Sequence, residues 1–455
     1  MRILLIQPPK SPSTIGAEDL YMHEPLSLEY IAAGVVTDHD VEILDMRIER
    51  NLNRVLTDFR PDVVGITAYT VNVNTVKGLF QEIKRWNPEV FTVVGGHHAT
   101  VLPEDFLSSD IDLIIMGEGV FIFTEVMRRL EGREGFEGIK GIVYRKDGRI
   151  IKNPPEPVVD LDAFPFPERR LTKRYRRHYF TEWMKPLASI RTSKGCPFRC
   201  SFCALWKLTG GRYLKRRPEM IVKELAEIKE EFVFFADDES LIDVKRMKEL
   251  AGLIKEAGIK KRYFLFGRSD TIAKHPELIE LWKEIGLERV FVGLEFFRDD
   301  DLKYIKKGST VRDNEEAISI LHDLGIEIYA SFIVRPDFSK EDFRQFRRYC
   351  RSMKLNFATF SVLTPLPGTD LYEKVKDRLI THNYDYFDFI HTLLPTSLPL
   401  KEFYEEMCSL YKMAIPLDKG LSFLKRFPLR EIPMMLRRSN KILKQIRDAY
   451  KDLSL

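Results

Sequence analysis

The chain has 455 residues, 44% of them apolar and 31% charged, and its 72 Lys and Arg set against 68 Asp and Glu leave a formal net charge of only +4. That length and apolar content support a sizeable core over roughly three domain lengths, which excludes a mainly disordered chain, and the charge balance excludes a uniformly basic binder. No apolar run reaches the roughly 18 residues that span a bilayer, and Met1 leads directly into Ile3-Leu4-Leu5-Ile6, so a soluble, cytoplasmic protein without a cleaved signal is expected.

Residues 1–151 alternate strand-length apolar runs at 3–6, 41–44, 63–67, 91–94 and 113–116 with amphipathic stretches of helical length, such as 26–36 and 73–86. This alternation predicts an open parallel sheet with helices on both faces, a Rossmann-like α/β domain. It closes in a hairpin over 142–151 that turns at Asp147-Gly148. Prolines at 154, 155, 157, 165 and 167 then place a boundary. They predict an extended connector over 152–186, since proline removes backbone donors and clashes within a helix. From 187 to about 380 the alternation resumes, with strands expected at 187–191, 232–236, 263–266, 290–294, 326–334 and 357–363. Six strand-helix units fit a partial, six-stranded relative of the eightfold α/β barrel, whose sites lie at the C-terminal strand ends. Residues 381–455 are expected to form a helical region broken by Pro416, Pro428 and Pro433.

Five cysteines are too few for a disulfide framework, and Cys196, Cys200 and Cys203 form a C-x3-C-x2-C array directly after the first barrel strand. Three thiolates can hold three irons of a [4Fe–4S] cube and leave the fourth iron open to an external ligand. A zinc site would want a fourth Cys or His close by. None lies within the array, and His178 is on the far side of the first strand. The plain alternative is three buried cysteines gathered by chance.

With Phe202 immediately before its last cysteine, the array resembles that of the radical S-adenosylmethionine enzymes, over residues 187 to about 380. The resemblance implies that S-adenosylmethionine chelates the open iron and is cleaved by one electron to a 5′-deoxyadenosyl radical. Later strand ends follow the family's order. Phe234-Phe235-Ala236-Asp237-Asp238-Glu239-Ser240 resembles the loop that binds the amine or ribose, and Arg268, in Gly267-Arg268-Ser269-Asp270, would fork onto the carboxylate. Gly293 and Glu295 end the fourth strand, and Pro365, in Thr364-Pro365-Leu366-Pro367-Gly368-Thr369, is similar to the turn beside the adenine. The resemblance therefore assigns Phe202, Asp237, Asp238, Arg268, Gly293, Glu295 and Pro365 to S-adenosylmethionine. An acidic pair after a strand is also an ordinary helix N-cap signal, so the weight rests on the series.

In the first domain, Gly65-Ile66-Thr67-Ala68-Tyr69-Thr70, Val94-Gly95-Gly96-His97-His98-Ala99-Thr100 and Gly117-Glu118-Gly119 fall at successive strand ends, where open α/β sheets bind ligands. They resemble the cobalamin-binding domain that precedes the radical barrel in one large subgroup. The resemblance implies cobalamin contacts from Thr67, Ala68, Tyr69, Gly95, Gly96, His97, Gly117 and Glu118. The D-x-H-x-x-G motif that supplies a lower cobalt ligand is absent, since His23-Glu24-Pro25-Leu26-Ser27 has no glycine at the required place. His97 and His98 fit capping or hydrogen-bonding roles equally well. The related methylthiotransferases carry three more cysteines in their first domain, whereas residues 1–195 here have none. Cys350 and Cys408 are expected to be buried small side chains.

The resemblance implies a cobalamin-dependent radical S-adenosylmethionine methyltransferase that acts on an unactivated carbon of a small molecule or lipid and draws electrons from a reducing donor. Residues 363–404, including Phe387-Asp388-Phe389-Ile390-His391, resemble the branch containing the hopanoid C-3 methylases. Peptide methylation, ring formation or rearrangement on the same cofactors, and a cobalamin-binding sensor, stay open as alternatives. Residues 421–427 and 434–450 interleave apolar positions with Arg437, Arg438, Lys441, Lys444 and Arg447. A basic amphipathic helix of this kind either lies on an anionic membrane or packs on the barrel with a solvated basic face. No nucleic-acid partner is expected, because aromatic residues do not interleave a basic stripe. The near-neutral total conceals 15 basic against 2 acidic residues over 168–217, and 10 against 4 over 418–455.

Overall fold

The computed structural model describes residues 1–16, 21–157, 160–355, 358–414 and 432–453. It contains two compact units, one of Met1–Thr14, Glu24–His178 and Lys207–Gly210, the other of Ile15–His23, Tyr179–Trp206 and Gly211–Leu455.

The first unit is built on a seven-stranded sheet of β1 (Arg2–Gln7), β2 (Asp40–Asp45), β3 (Val63–Thr67), β4 (Phe91–Gly95), β5 (Leu113–Ile115), β6 (Ile142–Lys146) and β7 (Arg149–Asn153), in the order β2-β1-β3-β4-β5-β6-β7. The first five run parallel, and β6 and β7 add an antiparallel hairpin. Helices on both faces bury both sides of β1, so Ile3, Leu4, Leu5 and Ile6 are all in the core. The helix Val73–Trp86 buries Val73, Val76, Leu79, Phe80 and Ile83, one stripe at helical spacing, and its Lys84 and Arg85 lie in the last turn, where the helix dipole favours cations. Asp147 and Gly148 both have positive φ, +48° and +73°, as the two-residue turn between β6 and β7 requires.

The connector differs from the expected extended chain. After its last early proline, residues Arg169–His178 coil into a 3₁₀ helix. The Tyr175 hydroxyl donates to Glu49 at 2.6 Å, and Thr172 donates to the buried Glu29. These anchors outweigh the extended preference of the preceding prolines.

The second unit carries six parallel strands in sequential order, namely β8 (Leu187–Ile190), β9 (Phe232–Phe235), β10 (Arg262–Gly267), β11 (Leu287–Glu295), β12 (Glu327–Val334) and β13 (Ala358–Val362). The expected first residue of β13, Phe357, lies outside the described residues. Alternation along each strand separates two cores. Val233, Phe235, Tyr263, Leu265, Val290 and Val292 pack against the surrounding helices. Phe232, Phe234, Phe264 and Tyr329 face the other way with Trp183, and half-buried Phe266 and Phe291 join them. Arg289 lies on this inner face, wholly buried. It pairs with Glu182 and with Glu327 at 3.1 Å, and its guanidinium stands 4.4 Å from the Tyr329 ring and 4.8 Å from Trp183.

The C-terminal region packs into the same unit. The helix Ile432–Asp448 lays Ile442 and Ile446 into the core beside the helix Leu400–Met413, while Arg437, Lys441, Lys444 and Arg447 stay exposed. The expected amphipathic stretch 421–427, with Pro416 and Pro428, lies outside the described residues. Cys350 and Cys408 are buried as expected. Among the described residues no helix is long and apolar enough to cross a membrane.

A buried histidine ties the chain end down. His391 Nδ1 meets Asp388 at 2.8 Å and its Nε2 meets Asp452 at 3.2 Å, with Tyr386 against the ring and the Tyr404 hydroxyl donating nearby to the Ile390 carbonyl. Burial opposes charging of the imidazole, but the two carboxylates outweigh it and raise the pKa above 6.5. A raised folded pKa contributes stability that is fully present below the unfolded value and is lost as pH rises through the folded one. Hydrogen exchange in residues 432–453 is therefore expected to quicken as pH is raised above this folded value, after correction for intrinsic rates. In Asp452→Asn that pH dependence should shrink, and an unchanged profile would refute the clamp.

Candidate functional site

In the second unit the cysteine loop follows β8 and is fastened by the ends of its neighbours. Both Asp237 oxygens are engaged after β9. Oδ1 accepts the Thr192 and Ser193 N–H groups at 2.7 and 2.8 Å, and Oδ2 accepts the Thr192 hydroxyl at 2.6 Å. Asp238 accepts the N–H of Gly195 at 2.6 Å. Gly195 sits at φ +89°, where a Cβ is disfavoured, and it turns the chain into the array. After β10, the Arg268 guanidinium lies 3.6 Å from the centroid of the Phe198 ring between the first two cysteines. Its Nε donates to Asp270 at 2.9 Å, and Nη2 donates to the Lys307 carbonyl at 2.8 Å. Ser201 joins two further elements, since its N–H donates to the Ile305 carbonyl at 2.9 Å and its carbonyl accepts from Leu371 N–H at 2.8 Å.

Cys196 and Cys203 are half-buried, Cys200 is buried, and all three are free thiols. Burial pushes the Cys196 thiol up to about 11 and the Cys203 thiol up to about 12. Burial also raises Cys200, against the pull of Lys307 and Arg268. Such thiols ionise readily only beside a cation, which is what metal binding provides. Among the described residues no three His, Cys, Asp or Glu side chains gather tightly enough to hold a single ion. Three thiols spread along one loop suit the wider spacing of an iron–sulfur cube.

Two residues outside the sequence-predicted set lie here. Lys307 is buried and donates to Glu295 at 2.7 Å. Glu295 stands at φ +60° at the end of β11. A Cβ on Gly293 would come within 2.5 Å of Glu295 Oε1 and 2.9 Å of Lys307 Nζ, so glycine at 293 makes room for the pair. Glu239 is also buried and accepts the N–H groups of Leu241 and Arg268 at 3.2 and 3.3 Å. Burial pushes its carboxyl up to about 7. The strand-end position of Glu239 was visible in sequence, whereas nothing local marked Lys307. Phe202 packs half-buried against the outer core. Pro365 is buried in the turn after β13, which Thr369 closes by donating from N–H and hydroxyl to the Leu366 carbonyl at 3.1 and 2.7 Å.

In the first unit, the ends of β3, β4 and β5 bring Thr67, Ala68, Tyr69, Gly95, Gly96, His97, Gly117 and Glu118 to one edge of the sheet. Gly96 has φ +103°, and a Cβ there would lie 2.8 Å from both the N and the O of Ala68. Gly96→Ala is thus expected to cost about 1–3 kcal/mol in backbone strain, with any relief of the clash displacing the β3 end. Thermal unfolding would measure this, and an unshifted midpoint would contradict it. Tyr69 is 49% exposed and meets the exposed His97 edge-on at 4.9 Å. His98 is the structural one of the two histidines, buried between the Thr70 hydroxyl at 3.1 Å and Asp105 at 2.7 Å. Gly117 N–H donates to the Thr100 hydroxyl at 2.9 Å. In the second unit, His23 hydrogen-bonds the Thr181 hydroxyl at 2.7 Å and packs on Phe234.

Residues 190–350 match the Radical SAM superfamily and residues 12–127 match the B12 binding domain. The chain is 34% identical over 391 residues to the hopanoid C-3 methylase of Methylococcus capsulatus, covering 84% of this chain and 75% of that protein. It is 27% identical over 432 residues to the anaerobic magnesium-protoporphyrin IX monomethyl ester cyclase of Rubrivivax gelatinosus, covering 90% and 77%. Its fold matches the cobalamin-dependent S-adenosylmethionine radical enzyme OxsB with a TM-score of 0.73 over 98% of this chain and 71% of the other, at 16% identity. The cysteine loop at the strand ends of an open six-stranded barrel, the glycine-rich edge of the preceding sheet and these likenesses agree, and the chain belongs to the cobalamin-dependent radical S-adenosylmethionine enzymes of the methyltransferase group, whose cofactors are a [4Fe–4S] cluster, S-adenosylmethionine and cobalamin.

Proposed function

We propose that the enzyme methylates an unactivated carbon of an apolar, lipid-class substrate such as a hopanoid. The observation offered for the substrate class is the inner face of the barrel sheet, where the rings of Phe266 and Phe291 are half-buried over the packed aromatic layer of Phe234, Phe264 and Tyr329. Rings of this kind contribute burial energy to an apolar guest and offer little hydrogen bonding to a polar one. The 34% identity to a hopanoid C-3 methylase supports the same reading.

In this reading residues 1–151 carry cobalamin, 152–186 connect, 187–380 form the radical barrel and 381–455 complete it. Cys196, Cys200 and Cys203 ligate the cluster. Phe202, Asp238, Arg268, Gly293, Glu295 and Pro365 surround S-adenosylmethionine, while Asp237 holds the cysteine loop in place. Thr67, Ala68, Tyr69, Gly95, Gly96, His97, Gly117 and Glu118 hold cobalamin. When bound, the cluster supplies the electron for cleavage of S-adenosylmethionine, and cobalamin supplies a carrier for the methyl group. The protein's own part is to orient these groups and keep water out. Glu295 and Lys307 neutralise one another beside the cysteine loop, and buried Glu239 holds a proton near neutrality.

The exposed face of the helix Ile432–Asp448 joins Met434 and Leu436, 41% and 51% exposed, to Arg437, Lys441 and Lys444. That combination fits an anionic membrane surface, where a lipid substrate would be presented. Flotation with anionic liposomes tests this arm, and equal flotation after deletion of residues 432–453 would refute it.

The function is tested by anaerobic assay of the reconstituted enzyme with cobalamin, reductant and S-adenosylmethionine, against lipid and protein extracts in parallel. A lipid product heavier by one methyl group supports the proposal. The likeness to the anaerobic cyclase favours ring formation as a second reading, and a product without the added methyl would decide for it. Absence of 5′-deoxyadenosine under every condition would overturn both.

A further inference from the structure

The ion pair of Lys307 and Glu295 stands where its field falls on the cysteine loop. Both residues are 7% exposed, and Lys307 Nζ donates to Glu295 Oε1 at 2.7 Å. The backbone around Lys307 is tied to the loop from two sides. Two residues earlier, the Ile305 carbonyl accepts the N–H of Ser201, the neighbour of Cys200, at 2.9 Å. The Lys307 carbonyl itself accepts Arg268 Nη2 at 2.8 Å, and the same guanidinium lies 3.6 Å from the Phe198 ring centroid. Phe198 is midway between Cys196 and Cys200. These contacts hold the ammonium and the carboxylate at fixed places beside the thiols.

The loop and the pair respond to one another's charge. Burial raises the Cys200 thiol, Lys307 pulls hardest against that rise, Arg268 less, and Glu295 pushes the thiol further up. In return, burial opposes the charge on Lys307, but Glu295 and then Cys200 outweigh it and raise the Lys307 pKa above 10.5. Charges so far from solvent act at an effective dielectric below that of water and are little screened by salt.

Resting on the cluster assignment above, we propose that Lys307 and Glu295 set the reduction potential of the [4Fe–4S] cluster, Lys307 raising it and Glu295 holding it down. Neither is a ligand, and each acts through its charge, one of the levers on a cluster's potential. Reduction adds one electron to the cluster, with no bond formed or broken in the protein. A neighbouring cation therefore favours the reduced state, and a neighbouring anion the oxidised one. Lys307 keeps the cluster within reach of its electron donor, while Glu295 keeps the reduced cluster a strong reductant.

The test is a potentiometric titration of the cluster in the full reconstituted chain, without S-adenosylmethionine and with titanium(III) citrate as the reductant. Electron paramagnetic resonance follows the reduced cluster, in mildly alkaline buffer where a stranded Glu295 carboxylate stays ionised. In Glu295→Gln the equilibrium is expected to shift about tenfold toward the reduced cluster, or 59 mV for one electron. Lys307→Met should shift it as far the other way, and Glu295→Gln/Lys307→Met should fall between the two. Lys307→Arg keeps the charge and should stay near the starting value. Asp238, Glu239 and the Arg268–Asp270 pair are the same in every variant, so the differences belong to the two substituted groups. A merely structural pair would move both single variants in one direction or move neither. Shifts of the same sign, or an unmoved potential in Glu295→Gln, would overturn the proposal. If Lys307→Met does not fold, the isosteric Glu295→Gln read against Lys307→Arg decides. A starting protein that takes up no iron and sulfide would fail the cluster reading itself, and that is seen before any potential is read.

Discussion

Cys200→Ser is expected to leave a folded protein that does not retain its cluster, with iron falling from about four per chain toward none and 5′-deoxyadenosine formation below detection. The shape of the loop rests on groups other than the sulfur. Gly195 is held by Asp238, Ser201 by Ile305 and Leu371, and Phe198 by Arg268. The hydroxyl that replaces the thiol is a hard, weakly acidic donor, poorly matched to iron–sulfur chemistry. Iron and sulfide content, visible absorption and far-ultraviolet circular dichroism distinguish the outcomes. Retention of a full cluster would remove Cys200 from the ligand set, and collapse of the fold would show that the loop depends on the sulfur after all.

Arg289→Met is expected to destabilise the second unit by about 3–5 kcal/mol, the usual consequence of removing one partner from a buried ionic group. Arg289 has no exposed surface, and the change would strand the Glu182 and Glu327 carboxylates against the rings of Trp183, Phe264 and Tyr329. Most of the loss should return in Glu182→Gln/Arg289→Met/Glu327→Gln, in which no charge is left buried. Thermal unfolding of the three proteins tests this, and a triple variant as unstable as the single one would show that packing of the guanidinium matters more than its charge.

The strands were legible because their signal is local. Runs such as those in β1 and β9 are apolar over consecutive positions, and only a sheet covered on both faces accepts that pattern. The same holds for the cysteine array, whose three thiols fall within eight residues directly after the first barrel strand. The connector was read less well. Its prolines are a strong local signal, but the 3₁₀ helix over Arg169–His178 is held by Glu29 and Glu49, more than a hundred residues earlier.

The site was legible as a set of strand ends and less so as a set of roles. Asp237 and Arg268 were placed correctly at the C-terminal edge, yet the structure engages them with the cysteine loop itself, through partners 44 to 45 residues away for Asp237. His97 and His98 could not be separated by sequence, because two adjacent residues at a helix start differ only in which way each side chain points. The structure buries His98 against Asp105 and leaves His97 beside Tyr69.

By itself the sequence determined the strands of the two sheets, the order of the two domains and the place of the cysteine array after the first barrel strand, since each depends on spacing within a few residues. Only the tertiary structure decided which charges meet. Lys307 reaches Glu295, Arg289 lies between Glu182 and Glu327, and His391 holds Asp452, because strand register and helix packing bring them together. Buried charges survive only where a partner arrives from elsewhere in the chain, and local spacing carries no record of that partner.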